Sequence, residues 1–202
     1  MSRVDEVVSA WERIVRWLRK HALASAEALR PGATDEEISR LNEGLGFEIP
    51  DVLEAWLRLN NGSTSKDTTE PRPGGGRRIY PHIDSLVLPG NYAFRSCEEI
   101  WNKYRFYLSS AEELGDGEYW KPSWIPVAEA FNSPDGLIVV AEDSAGAAPL
   151  LRFAEYYYPS PYLPSLSGYL LSVADLVEHG EASGTLMERQ RFEVVDGRLD
   201  WK

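Results

Sequence analysis

Two consecutive helix signals within residues 29–63 constrain the fold of this chain more than any other sequence feature. Thr34 precedes a glutamate by three residues, and this spacing is a capping box that predicts a helix start. Gly46 offers the left-handed conformation that commonly ends a helix. Pro50 suits the first residue of a second helix, which the Asn-Gly pair at 61–62 ends. The segment therefore predicts two short amphipathic helices joined by a tight linker.

Apolar residues at three- and four-residue spacing predict three further helices. The first spans residues 2–29, with an apolar stripe that includes Trp11, Ile14 and Leu18. The second begins at Ser96, which precedes Glu99 in another capping box, and reaches residue 114. The third is the last helix along the chain and is predicted at residues 166–179.

Segments rich in β-branched and aromatic residues predict an antiparallel meander over residues 124–128, 137–141 and 149–157. Pro159 and Pro161 interrupt the aromatic run that follows, so residues 156–162 are expected to form a loop that presents tyrosine rings. A flexible loop is predicted at about 63–78, where polar residues, proline and glycine dominate. At the tail, Asp196 and Gly197 between alternating apolar residues predict a β-hairpin at about 191–202.

Length and composition predict one domain over residues 1–202. A chain of 202 residues with 43% hydrophobic content can bury roughly 70% of its unfolded surface in a single core. No apolar run approaches the roughly 20 residues of a membrane span, and the N-terminus does not resemble a signal peptide. The single cysteine, Cys97, cannot form an internal disulfide. We therefore expect a cytoplasmic protein that is not bound to a membrane.

The net charge of −11 makes nucleic acid a poor partner, because the phosphate backbone is also anionic. An acidic surface speeds the encounter with a basic macromolecule, such as a toxin that attacks nucleic acid. Solubility alone is an equally good explanation of the charge.

Catalytic and metal-ligand patterns do not stand out. His21, His82 and His179 lack the spacing of a metal site, so neither a metal nor a cofactor is predicted. Cys97 lies in the first turn of a helix, where a small apolar role is favoured over a reactive thiol. Acidic pairs are abundant, which leaves a carboxylate-dependent hydrolase as a minor alternative. The sequence thus predicts a protein that is not an enzyme.

Two groups of residues are candidates for contact with a partner protein. Acidic residues near a helix C-terminus have no local structural reason, because the helix dipole disfavours negative charge there; these are Glu112, Glu113, Asp116 and Glu118. A merely solvated face is the alternative explanation. The second group consists of tyrosines in the expected loop, namely Tyr156, Tyr157, Tyr158 and Tyr162.

The pattern as a whole resembles the SUKH superfamily. The resemblance lies in the two tryptophans of the first helix and in three short runs, at residues 29–34 with Glu37 and Ile38, at 45–50 and at 59–63. Weaker similarities follow at residues 124–128, 136–140 and 170–177. The chain departs from the family pattern in its lengthened segment 63–78 and in the residues that follow Val140.

The resemblance implies an α+β fold in which helices pack on a central, mostly antiparallel β-sheet. It also implies a noncatalytic immunity protein that binds and neutralises a cognate bacterial polymorphic toxin domain, often a nuclease. The alternative is an intracellular protein-binding scaffold, like the fungal relatives that regulate cell-wall assembly. The identity of the toxin, the surface that binds it and the oligomeric state are left open.

Overall fold

The computed structural model describes residues 2–64, 68–71, 74–75, 77–80, 83–130, 133–142, 146–154, 157–180 and 190–202. The helices are α1 (Arg3–His21), α2 (Leu23–Glu27), α3 (Asp35–Leu45), α4 (Asp51–Leu59), α5 (Cys97–Leu114) and α6 (Leu166–His179). The strands are β1 (Thr68–Pro71), β2 (Arg77–Tyr80), β3 (Tyr92–Phe94), β4 (Trp124–Ala130), β5 (Gly136–Val140), β6 (Leu150–Ala154), β7 (Tyr157–Leu163), β8 (Phe192–Val195) and β9 (Arg198–Trp201). The predicted α+β class is confirmed.

The central sheet has five antiparallel strands in the order β3-β4-β5-β6-β7. Its middle is the predicted meander, in which Ile125 pairs with Val139 and Ile138 with Leu151. Alternate residues of β5 serve two hydrophobic clusters: Leu137 and Val139 belong to the main core, whereas Ile138 belongs to a smaller aromatic cluster. Both faces of the sheet are therefore covered.

The predicted tyrosine-presenting loop is wrong, because residues 157–163 form the edge strand β7. Proline removes a backbone donor, but an edge strand pairs on one side only and therefore tolerates Pro159 and Pro161. The register with β6 shifts twice along this pairing. Such shifts bend a strand and increase its twist. β3, at the other edge of the sheet, was not predicted.

Aromatic side chains join the helices to the sheet in the main core. The Trp56 ring of α4 stacks on the Phe94 ring of β3 with centroids 3.7 Å apart, and the Trp11 ring of α1 meets Trp56 edge-on at 5.2 Å. All three side chains are buried. Burial of such rings dominates the stability of cores of this kind.

Helix ends follow the predicted chemistry closely. Thr34 and Ser96 each form a complete capping box, and Gly46 and Gly115 end α3 and α5 in the left-handed region at φ 80° and 63°. Pro50 is the N-cap of α4 rather than its first residue. The predicted first helix is two helices, because the backbone breaks at residue 22 and α2 follows.

The segment that follows α4 joins several elements. Asn61 donates its amide to the Glu37 carboxylate of α3 at 2.8 Å and accepts a hydrogen bond from the Cys97 backbone N–H of α5, also at 2.8 Å. At Gly62, with φ 79°, a Cβ would lie 2.4 Å from the Ser96 nitrogen. Packing between helix ends therefore explains why positions 61 and 62 are an asparagine and a glycine.

Two antiparallel pairs lie outside the central sheet. β8 and β9 form a hairpin whose turn residues, Asp196 and Gly197, have φ 51° and 75°, as a type I′ turn requires. Asn91 exchanges hydrogen bonds with the Trp201 backbone at 3.1 and 3.3 Å. β1 and β2 pair with each other; β1 and the first half of β2 lie in the segment expected to be a flexible loop, where residues 65–67, 72–73 and 76 lie outside the described residues.

Candidate partner-binding face

The end of α5 positions the first group of candidate residues. Gly115 reverses the chain, its N–H donates to the Glu112 carbonyl at 3.1 Å, and the Asp116 N–H reaches back to Ala111, also at 3.1 Å. This pattern satisfies the last carbonyl groups of the helix. Glu112 and Glu113 are exposed in the last turn and take part in none of the ion pairs of the described residues. Their negative charge lies at the unfavourable end of the helix dipole.

A hydrogen bond joins the two groups of candidates. The Tyr158 hydroxyl of β7 donates to Asp116 Oδ2 at 2.7 Å, and the Glu118 backbone N–H donates to Asp116 Oδ1 at 2.9 Å. The Tyr158 bond, and then the Glu118 amide, lower the pKa of Asp116 because they favour its ionised form. The same bond, together with the negative charge of Asp116, raises the pKa of Tyr158. Residues far apart in sequence thus form one surface.

Two tyrosine rings of the edge strand β7 are exposed, Tyr157 to 77% and Tyr158 to 61%. The hydrogen bond to Asp116 places Tyr158 beside the carboxylates. Neighbouring side chains of a strand point to opposite faces, so this bond does not place Tyr157 there. Glu118 is exposed and forms an ion pair with Lys121 at 3.2 Å. Exposed tyrosines combine a rigid apolar ring with a polar tip, which suits them to contact with another protein.

Tyr162 does not belong to this surface. Its ring is partly buried against the main core, 6.2 Å from the Tyr169 ring, and burial raises its pKa. Tyr156 and His82 lie outside the described residues. We use the name acidic-tyrosine face for Glu112, Glu113, Asp116, Glu118 and Tyr158; Tyr157 is an exposed neighbour of Tyr158 in β7.

Two exposed apolar residues of α5 were missed by the sequence argument. Phe106 is 58% exposed and Leu114 is 65% exposed. Leu114 directly precedes the turn that carries Asp116, so it adds apolar area next to the acidic-tyrosine face. Phe106 lies off the apolar stripe of α5, and a helical projection of the sequence identifies it. Leu114 is in line with the stripe, three residues after the buried Ala111, but it is the last residue of the helix and remains exposed.

A buried aromatic cluster packs next to the turn that carries Asp116 and Glu118. Tyr107 of α5 stacks on Trp120 with ring centroids 4.2 Å apart, and Trp120 meets Phe153 of β6 edge-on at 5.7 Å. Trp120 is 3% exposed and directly follows the turn that carries Asp116 and Glu118. The turn is therefore held between α5 and the sheet, which limits the conformational entropy that binding would cost.

Two of the residues considered for catalysis, Cys97 and Glu37, are held in structural roles. Cys97 is 4% exposed, and burial raises the pKa of its thiol to about 12, so the reactive thiolate is not formed near neutral pH. Glu37 accepts hydrogen bonds from the Thr34 backbone, the Thr34 hydroxyl and the Asn61 amide, which lower its pKa. In the described part of the chain, no group of three or more His, Cys, Asp or Glu residues is placed to hold a metal ion.

Among the residues that the structure describes, no helix has the length and apolar character needed to cross a bilayer.

Comparison with protein-family models shows which family this chain is similar to. The model of the SMI1 / KNR4 family (SUKH-1) matches residues 32–172, well over half of the chain. This range includes the acidic-tyrosine face, whereas α1 and the β8-β9 hairpin lie outside it. No curated protein matches the chain.

Proposed function

The chain belongs to the SMI1 / KNR4 family (SUKH-1), and on that premise we propose that it is a noncatalytic immunity protein. It binds a cognate bacterial toxin domain in the cytoplasm and neutralises it. Family membership fits either an immunity or a regulatory role, and both depend on binding another protein. The acidic-tyrosine face is the observation that carries the proposal, since it combines an exposed ring, two carboxylates without an ion pair among the described residues and a supporting aromatic cluster.

Each part of the face has a physical role in binding. Tyr158 supplies ring area at a low entropy cost, because a tyrosine has few rotatable bonds and this ring is already held by Asp116. Glu112 and Glu113 have no ion pair in the described part of the chain, so their charge is available to a basic partner. Such charges mainly raise the association rate.

A basic toxin is the partner that this electrostatic arrangement favours. A net charge of −11 repels nucleic acid and attracts proteins that bind nucleic acid. A nuclease toxin must present cationic residues to its substrate, so its active-site surface is complementary in charge to the acidic-tyrosine face. We therefore favour a nuclease domain as the target.

The decisive experiment is isothermal titration against the catalytically disabled toxin domain encoded beside the gene, at low and moderate salt. We expect one-to-one binding that weakens as salt concentration rises, because salt screens exposed charges. No binding at either salt concentration, with both proteins folded, would overturn the immunity proposal.

Charge reversal tests the role of the face within that complex. Replacing Glu112, Glu113 and Glu118 with lysine should slow association, most strongly at low salt. The matched control is Glu27→Lys/Glu43→Lys/Glu48→Lys, which makes the same change in net charge at exposed positions on α2, on α3 and beyond the end of α3. Equal slowing in both triple variants would assign the effect to net charge and remove the face from the proposal.

The alternative is a protein-binding scaffold of the cell-wall assembly regulator type. The family match favours this alternative too, since the matched model is the SMI1 / KNR4 family itself. A cellular protein that binds the wild type but not a Tyr157→Ala/Tyr158→Ala variant, in a cell without the toxin gene, would support the scaffold role.

A further inference from the structure

Three cationic side chains of α1 stand apart from the rest. Among the lysine and arginine side chains that the structure describes, Arg16, Arg19 and Lys20 are the ones without an ion pair, a side-chain hydrogen bond or a cation–π contact. They are exposed and spaced by three and four residues, so they share one face of the helix.

Helix chemistry explains only part of this arrangement. Arg19 and Lys20 lie in the last turn of α1, where positive charge is favourable. Arg16 lies a turn earlier, gains less from the dipole, and repels both of the others. In a chain with 32 acidic residues and 21 basic ones, intramolecular partners are abundant. An unpaired cluster in such a chain points to a partner outside the chain.

The cluster borders a groove with an apolar floor. Arg16 and Arg19 line a groove of about 410 Å³ between α1 and the end of α4, together with Val15 and Leu59. Trp11 also lines it, and its indole N–H donates to the Asn60 side-chain oxygen at 2.8 Å. This hydrogen bond holds the Trp11 ring, which is part of the groove floor, in one orientation. Glu12 is the one carboxylate among the lining residues.

We propose that this groove binds an acidic segment of a partner protein. An apolar side chain of the segment occupies the floor, and neighbouring carboxylates pair with the Arg16 and Arg19 guanidinium groups. Guanidinium groups match carboxylates through two parallel hydrogen bonds. The apolar floor favours a peptide over a bare phosphate, which would leave Val15 and Leu59 uncovered.

The groove is separate from the proposed toxin-binding face. It is built by α1 and α4, whereas the acidic-tyrosine face is built by α5, the following turn and β7. The two surfaces also carry opposite charge, so they select different partner chemistry. The proposal therefore stands or falls independently of the immunity function.

The test begins with a phage-displayed dodecapeptide library selected on the whole protein and counter-selected on the Arg16→Glu/Arg19→Glu variant. We expect enriched peptides that combine several acidic residues with an apolar one. Binding of a synthetic, fluorescein-labelled copy is then measured by anisotropy. The Arg16→Ala/Arg19→Ala variant should bind about tenfold more weakly, and binding to the wild type should weaken as salt rises.

The matched control is Arg40→Ala, which removes an exposed arginine that is already paired with Glu36 on α3. It should bind the peptide like the wild type. In NMR spectra the Trp11 indole N–H resonance should shift on peptide addition, because Trp11 lines the groove. Enrichment of neutral or basic peptides, equal affinity in the Arg16→Ala/Arg19→Ala variant, or equal competition by inorganic triphosphate would each overturn the proposal. So would failure to enrich any peptide.

Discussion

Tyr158 and Asp116 are 42 residues apart in sequence and 2.7 Å apart in space, and their hydrogen bond determines the chemistry of the acidic-tyrosine face. A phenol that donates to a carboxylate orients the ring and holds the carboxylate in its ionised form. The ring is thus fixed before a partner arrives, although more than half of it is exposed. An exposed tyrosine without such a bond would lose rotamer freedom on binding.

Replacing Tyr158 with phenylalanine should raise the pKa of Asp116 toward its ordinary value, because the largest cause of its lowered pKa is removed. The folded-state pKa of Asp116 lies below the unfolded value, so the bond stabilises the protein at neutral pH. This stabilisation is lost as pH falls through the Asp116 pKa. Carboxyl ¹³C chemical shifts measured across an acid titration report the pKa. Tyr157→Phe is the control and should leave it unchanged; an unchanged pKa in Tyr158→Phe would contradict the bond.

The elements that the sequence predicted well are those whose positions depend on residues near them in the chain. The capping boxes at Thr34 and Ser96 and the left-handed Gly46 and Gly115 determine helix ends within a few residues of sequence, so α3 and α5 were predicted closely. The β-branched and aromatic residues of β4 and β5 likewise predicted the meander.

Elements that depend on distant partners were not predictable in this way. β7 contains two prolines and is a strand because β6 pairs with one of its edges. The break at Ala22 has no glycine or proline to announce it, and the Ala24 N–H after it donates to the Gly197 carbonyl of the distant hairpin at 2.8 Å. For the same reason the sequence proposed both halves of the acidic-tyrosine face but not their contact, and it assigned Tyr162 to the face although Tyr162 packs against the core.

The junction of α3, α4 and α5 depends on Asn61, and Asn61→Ala should destabilise the protein by about 1–3 kcal/mol. The substitution removes the acceptor of the buried Cys97 backbone N–H and the donor to Glu37. Urea denaturation followed by tryptophan fluorescence gives the free energy of unfolding. Asn102→Ala, at an exposed position of α5, should change it by less than about 0.5 kcal/mol. Equal stability of the two variants would show that the junction does not depend on Asn61.

At the scale of the whole molecule, one cysteine and several tyrosine side chains are buried in their neutral form. Burial raises the pKa of the Cys97 thiol to about 12 and raises the pKa values of several tyrosines, namely Tyr92, Tyr104, Tyr107, Tyr162 and Tyr169. These groups lie in the two hydrophobic clusters or pack against them. Ionisation of any of them in the folded state would place a charge in an apolar environment.

Stability should therefore fall as pH rises above about 9, where the unfolded state begins to lose protons that the folded state retains. The ordinary pKa of a cysteine thiol is 9.0 and that of a tyrosine is 10.0, so Cys97 contributes first and the tyrosines follow. Each such group lowers the free energy of unfolding by about 1.4 kcal/mol per pH unit between its unfolded and folded pKa values. Urea denaturation at pH 8, 9, 10 and 10.5 measures the decline. Cys97→Ala should reduce the loss between pH 9 and 10 by about 1 kcal/mol while leaving the tyrosine-dependent loss, which steepens above pH 10. A free energy of unfolding that stays constant up to pH 10.5 would show that these side chains are not buried as neutral groups.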